Sequence, residues 1–271
     1  MKQKNVLKFS TFAMILIVAV SSCKKNEDST PDALKTTYTI KAKDLLGVTG
    51  TVTISEKSSG STESVVKISL KGAPSGTHPA HIHMNSAVET GAIAYTLNSV
   101  DVAGESTTTL PLTYALLTNY DGYINVHLDA ATLNTIIGQC DIGGNVLTNS
   151  NKSYTLTQDS TTGISGSAKF EKRKNGNTLV TIDLTSGGVL PPGFYPAHIN
   201  LGSVSTIGTP VKTKTLNPVD GIIRSSITNV RTLNDGSPIS YDNWLVYDGF
   251  MTIHDAVDTT NVIAKGNIGS N

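Results

Sequence analysis

The chain has 271 residues, with 21 basic against 21 acidic side chains, 38% hydrophobic and only 15% charged residues. Low charge combined with abundant Thr, Ser, Val and Ile excludes coiled coils, acidic disorder and long helices, and points to an all-β protein. Zero net charge with three Arg offers no basic stripe to a nucleic acid, and two Cys cannot build a disulfide framework.

Lys2, Lys4 and Lys8 precede an apolar run, Phe12 to Val20, that is too short to cross a bilayer as a helix. This pattern reads as a signal peptide over residues 1–22. The run ends in Val20-Ser21-Ser22-Cys23, which resembles the lipobox of bacterial lipoproteins and implies lipidation of Cys23. Removing residues 1–22 leaves 18 basic and 21 acidic side chains, net −3. The expected address is the cell envelope, as an outer-membrane lipoprotein facing the periplasm or the outside, with acyl chains as the membrane contact. Residues 23–37 would be the lipidated Cys and a polar tether. An acylated Cys23 leaves Cys140 without a disulfide partner, so Cys140 is expected as a small buried thiol.

Beyond the tether the chain repeats itself. Tyr38-Thr39-Ile40 returns as Tyr154-Thr155-Leu156, Pro79-Ala80-His81-Ile82-His83 as Pro196-Ala197-His198-Ile199-Asn200, and Gly122 to His127 as Gly249 to His254. The offset grows from 116 to 127, which places the insertions in loops of the second copy, chiefly Asn234 to Asn243. Copy one spans 38–143 and copy two 154–269, each near common domain size.

In copy one, alternating or β-branched runs predict strands near Thr37–Ala42, Gly50–Ser55, Ser64–Leu70, Pro79–Asn85, Ala92–Asn98, Glu105–Pro111, Gly122–Leu128 and Thr135–Ile142. Eight short strands separated by turn residues mean a sandwich or barrel. One turn of helix is expected near Ala130–Leu133 and none elsewhere. Asp101 and Asp220, repeated after the same Val, read as turn residues at a strand end.

Strand alternation puts His81 and His83 on one face, and sends Tyr123, Asn125 and His127 outward while Ile124 and Val126 enter the core. If the two strands are neighbours, three imidazoles converge on the outer face, a workable ligand set for copper or zinc. His78 would be a fourth ligand or a supporting donor. Copy two keeps His198 and His254 but has Tyr195 for His78 and Asn200 for His83. Two explanations stand side by side. Either copy one binds metal and copy two has lost the ability, or the shared His pair is structural, each ring bonding a backbone carbonyl.

At these residues the chain resembles the CHRD domain, a module of secreted proteins. The resemblance rests on His78 to His83, Gly91, the Gly122 to His127 strand and Gly138, over most of copy one and more weakly over copy two. Copy one departs from the usual Pro-rich loop, having Ser86-Ala87-Val88-Glu89-Thr90. The resemblance implies a Greek-key barrel like that of Cu/Zn superoxide dismutase. Dismutase activity is not implied, because that enzyme also needs a bridging His, a zinc loop and a guiding Arg.

No nucleophile elbow, phosphate loop or dinucleotide fingerprint is present in the sequence. Tyr241, Trp244 and Tyr247, assigned to the copy-two insertion, are expected in the core, with contact to a glycan or protein as the alternative. The leading functional expectation is a non-catalytic binding or scaffold lipoprotein with an extracellular protein or glycan partner. Copper or zinc binding through copy one is the alternative, and a metal-dependent oxidoreductase comes after it.

Overall fold

A computed structural model describes residues 31–159, 163–188, 190–206 and 208–271. The segment 1–22 expected as a signal peptide and Cys23, expected to be lipidated, lie outside the described residues. The protein is all-β, and it contains two eight-stranded, barrel-like sheets, hereafter barrels, of which the second closes fully through hydrogen bonds.

The first comprises β1 (Lys35–Ala42), β2 (Thr49–Glu56), β3 (Ser64–Lys71), β4 (His78–Met84), β5 (Ile93–Val100), β6 (Glu105–Leu110), β7 (Asp121–His127) and β8 (Ile136–Gly143). The second comprises β9 (Leu147–Gln158), β10 (Ser165–Arg173), β11 (Thr178–Ser186), β12 (Phe194–Leu201), β13 (Lys212–Asp220), β14 (Ser225–Val230), β15 (Asp248–His254) and β16 (Val262–Gly269). Both follow one winding. In the first, hydrogen-bonded neighbours run β5-β4-β7-β8-β1-β2-β3-β6, and the second repeats this order and also joins β13 to β14, which closes the ring. The jump from β3 to β6 and from β4 to β7 is a Greek-key crossover.

Period-two patterning fills each barrel. Tyr38 and Ile40 on β1, Val52 and Ile54 on β2 and Val66, Ile68 and Leu70 on β3 point inward, with Ile82, Ile124, Val126 and Ile142 across from them. The second barrel encloses Phe170, Trp244, Met251 and Ile253. Cys140 sits in the first core, where burial pushes its thiol up to about 12, so it packs as a small apolar group.

Two expectations require correction. The turn at Ala130–Leu133 is not helical; single helical turns occur instead at α1 (Tyr114–Leu117) and α2 (Tyr241–Trp244). The overlooked signal lies in their caps. Thr113 accepts from the Leu116 amide, and Ser240 with Asn243 forms a reciprocal capping box. The aromatic residues assigned to the insertion also belong elsewhere, since Tyr241, Trp244 and Tyr247 occupy the places of Tyr114, Leu117 and Tyr120. Trp244 is fully buried against Phe170 and Tyr247. The extra residues lie upstream, around the small bridge between Thr232 and Pro238. Asp101 does accept amide bonds from Ala103 and Glu105, and Asp220 accepts them from Ile222 and Ile223, as turn residues do.

The barrels are joined almost without a linker, because β9 begins at Leu147, seven positions before the repeat becomes recognisable at Tyr154. The β10–β11 turn reaches back to the first barrel. The buried Arg173 guanidinium donates to Asp141 at 2.7 Å, the Asn175 amide to the Gly144 carbonyl, and Lys174 Nζ to the Thr118 carbonyl.

Replacing Trp244 with Ala empties the largest fully buried side chain and should lower stability by about 3–5 kcal/mol. Urea unfolding followed by tyrosine fluorescence checks this, and a smaller loss would mean that the barrel collapses around the cavity.

Candidate metal centre

β4 lies between β5 and β7, with Ala80 opposite Val126, His81 opposite Asn125 and His83 opposite Tyr123. Ala80, Ile82, Ile124 and Val126 enter the core, while His81, His83, Tyr123, Asn125 and His127 share the other face. An irregularity in the β7–β8 ladder leaves Ile137 of β8 unpaired, so that Val126 lies opposite Gly138 and His127 opposite Ile136. The structure brings His81, His83 and His127 together, with one nitrogen from each lying within 4.8 Å of the others. This group could hold a metal ion.

The face is not open to solvent, contrary to the outward-facing reading. His81, His83, Tyr123, Asn125 and His127 are all buried, because two loops fold over them. The β4–β5 loop brings the Gly91 carbonyl to His83 Nδ1 at 2.9 Å, and the β7–β8 loop brings the Leu133 carbonyl to His127 Nδ1. Gly91 must be glycine there, since a Cβ would lie 2.1 Å from the Met84 carbonyl oxygen. Tyr123 stacks on His83 with ring centroids 4.9 Å apart and accepts from the Gly91 amide through its hydroxyl.

Hydrogen-bond logic sets the tautomers. A carbonyl only accepts, so His83 and His127 each carry a proton on Nδ1 and keep a lone pair on Nε2. His127 Nε2 faces His81 Nδ1 at 3.1 Å and therefore accepts its proton. His83 Nε2 is buried with no partner. Burial lowers the pKa of His81, and the nearby His127 and His83 imidazoles lower it further. Burial likewise lowers His127, against the opposing pull of the Leu133 carbonyl. Both rings are neutral near pH 7, the state in which imidazole ligates.

His78 lies apart from this group. Its Nδ1 is 2.6 Å from the Leu128 carbonyl and its Nε2 3.0 Å from the Pro74 carbonyl, which leaves neither nitrogen for a cation. Tyr195 stands in its place in the second barrel, where its hydroxyl donates to the Pro191 carbonyl, so both residues pin the same loop. His198 and His254 also stay together, at 5.3 Å between ring centroids. There, however, Asn200 and His254 both bond the Thr252 hydroxyl, and although His198 Nδ1 is buried without a partner, no third imidazole stands beside the pair to complete a ligand set. Burial, Lys212 and His254 push His198 down to about 4. The carbonyl contact expected of a structural His is present at His127 and at His254, which bonds Thr259, whereas His81 bonds another imidazole.

No family model, curated protein or solved structure matches the chain. The site therefore has to be read from its own geometry.

His81, His127 and His198 all titrate below the ordinary value of 6.5 when folded, so between that value and their own the unfolded chain binds more protons. Stability should therefore fall as pH drops through about 6.5, and level off for each ring once its folded form is protonated. Urea midpoints from neutral pH to about pH 5 test this. The double variant His81→Asn, His198→Asn should show a shallower decline than the parent, and equal slopes would contradict it.

Proposed function

We propose that this chain is a cell-envelope lipoprotein whose first barrel holds a copper or zinc ion through His81, His83 and His127. One observation carries the reading: a buried imidazole nitrogen, His83 Nε2, presents a lone pair toward two further imidazoles and has no other partner. Leaving such an atom unsatisfied costs about 1–3 kcal/mol, which a ligated cation would recover. The donor chemistry agrees, because three imidazole nitrogens, two of them on rings held by backbone carbonyls, suit zinc and copper(II) and not calcium or magnesium. When bound, the ion would supply Lewis acidity or, as copper, a redox couple. The residues themselves bind and orient it: His83 and His127 are held by Gly91 and Leu133, and the His81–His127 hydrogen bond is the contact that a cation would displace. Kinship with CHRD domains belongs to this reading, supported by the same histidines and by the Greek-key winding. So does anchoring through Cys23, supported by the Val20-Ser21-Ser22-Cys23 motif.

The scaffold reading keeps one specific support. Phe194 at the start of β12 and Ile222, Ile223 and Val257 in connections of the second barrel have most of their surface exposed, as apolar contacts for a protein or glycan partner would.

Full-length protein in detergent, loaded with Cu(II) or Zn(II) and desalted, should retain about one equivalent, and His83→Ala should retain almost none. Equal retention by the variant would defeat metal binding at this site. Labelling of cells with radioactive palmitate should mark the parent and fail to mark Cys23→Ser; persistent labelling of the variant would remove the anchor.

A further inference from the structure

The loop that roofs the histidines, residues 85–91, is tied to the second barrel as well as to its own. Glu89 Oε2 accepts from the loop's own Ser86 hydroxyl at 2.8 Å and, at the same distance, from Asn229 Nδ2 on β14. Its other oxygen faces Arg231 at 3.6 Å. Arg231 is half exposed and contributes little, but Asn229 is buried and its amide oxygen has no partner, so the bond to Glu89 is what orients it. A second tie runs through Asp141. One carboxylate oxygen accepts from the Ala87 amide at 2.8 Å and the other from the fully buried Arg173 at 2.7 Å. A third runs through Asn145, which donates to the Asn85 carbonyl and accepts from Arg173 and Asn175.

The loop needs holding. Asn85 and Thr90 bracket it with φ of 65° and 60°, a conformation that is strained for a β-branched residue such as Thr90. Such strain persists only where the surroundings over-determine it.

The second barrel supplies an internal control. At the place of Asp141 it has Asn267, which still bonds the loop amide of Val204, and at the place of Glu89 it has Thr206, which still caps Ser203. In copy two the loop is thus tied within its own barrel by two neutral groups. In copy one carboxylates, Glu89 and Asp141, stand at the places of those neutral groups, and both bond residues of the other barrel. The copy with three histidines is the copy with the braced roof.

We infer that the second barrel is a positioning element for the metal centre: through Asn229 and Arg173 it fixes Glu89 and Asp141, which hold the roof loop so that the Gly91 carbonyl keeps His83 in the tautomer and orientation that present Nε2. This rests on the metal-binding reading for its use, but the effect on His83 exists without metal. Glu89 and Asn229 touch no ligand nitrogen and act only through the loop.

The test uses full-length protein in detergent with three variants. Glu89→Thr copies the second barrel's cap and removes the reach across; Asn229→Ala removes the partner and leaves the loop's own bonds; Glu89→Gln keeps an acceptor for Asn229. Cu(II) affinity is measured by chelator competition, and the His83 tautomer by imidazole 15N shifts in metal-free protein. Glu89→Thr and Asn229→Ala should each weaken Cu(II) by about 10- to 100-fold at unchanged stoichiometry, with Glu89→Gln close to the parent. In the first two, the His83 nitrogens should move from a single Nδ1–H form toward an average of both tautomers. Parental tautomer in both variants overturns the inference, whatever happens to affinity. If the parent binds no Cu(II) yet the His83 shifts move, the brace stands and the metal reading falls.

Discussion

A carbonyl oxygen placed against one nitrogen of a buried imidazole decides what the other nitrogen can do. It forces the proton to the near side and leaves a lone pair on the far side with no water to share it. The first barrel applies this constraint at His83 through Gly91 and at His127 through Leu133, and the function proposed for the chain follows from those two contacts. Everything between the strand register and the roof loops serves to bring the two carbonyls within hydrogen-bond reach.

Comparing the two barrels separates what the fold requires from what the site adds. Both keep the Greek-key order, an inward-pointing aliphatic set, a ring or hydroxyl on a proline carbonyl at the start of the fourth strand, and two adjacent imidazoles. These belong to the barrel. Only the first adds the third imidazole, the tyrosine stacked on it and the two carboxylates that lean on the neighbouring barrel. In the second, the Asn200 amide and the Thr252 hydroxyl stand where the third ring would be, so the one unpartnered imidazole nitrogen there, on His198, has a single imidazole beside it. The buried Arg173 shows how closely the halves are coupled, since breaking its pair with Asp141 would strand a charge inside the molecule.

Sequence patterning made much of this readable. Alternation in Tyr38 to Ile40, Val52 to Ile54 and Val66 to Leu70 reports directly which residues enter the core, because a strand gives each residue only two choices of face. The spacing in His81-Ile82-His83 and the alternation to His127 put each ring on the outer side of its strand by the same rule, while their convergence required β4 and β7 to be neighbours, which only the fold supplies. The helical turns at Tyr114 and Tyr241 were hidden because four residues carry no period, and their caps alone announce them. Glu89, Asp141 and Arg173 were not legible as a set, being brought together from positions far apart in the chain by barrel packing that no local pattern encodes.

Composition, the internal repeat and period-two patterning alone determined that this chain is all-β, duplicated, and that His81 with His83, and His127 on its own strand, point away from the core, since these depend on residue type and on the geometry of a single strand; that the two strands are neighbours was decided by the fold. Whether that face is open or covered, which nitrogen of each ring is free, and why His78 takes no part were decided only by tertiary structure. Those outcomes depend on where loops from other strands, and from the other barrel, set their carbonyls and carboxylates.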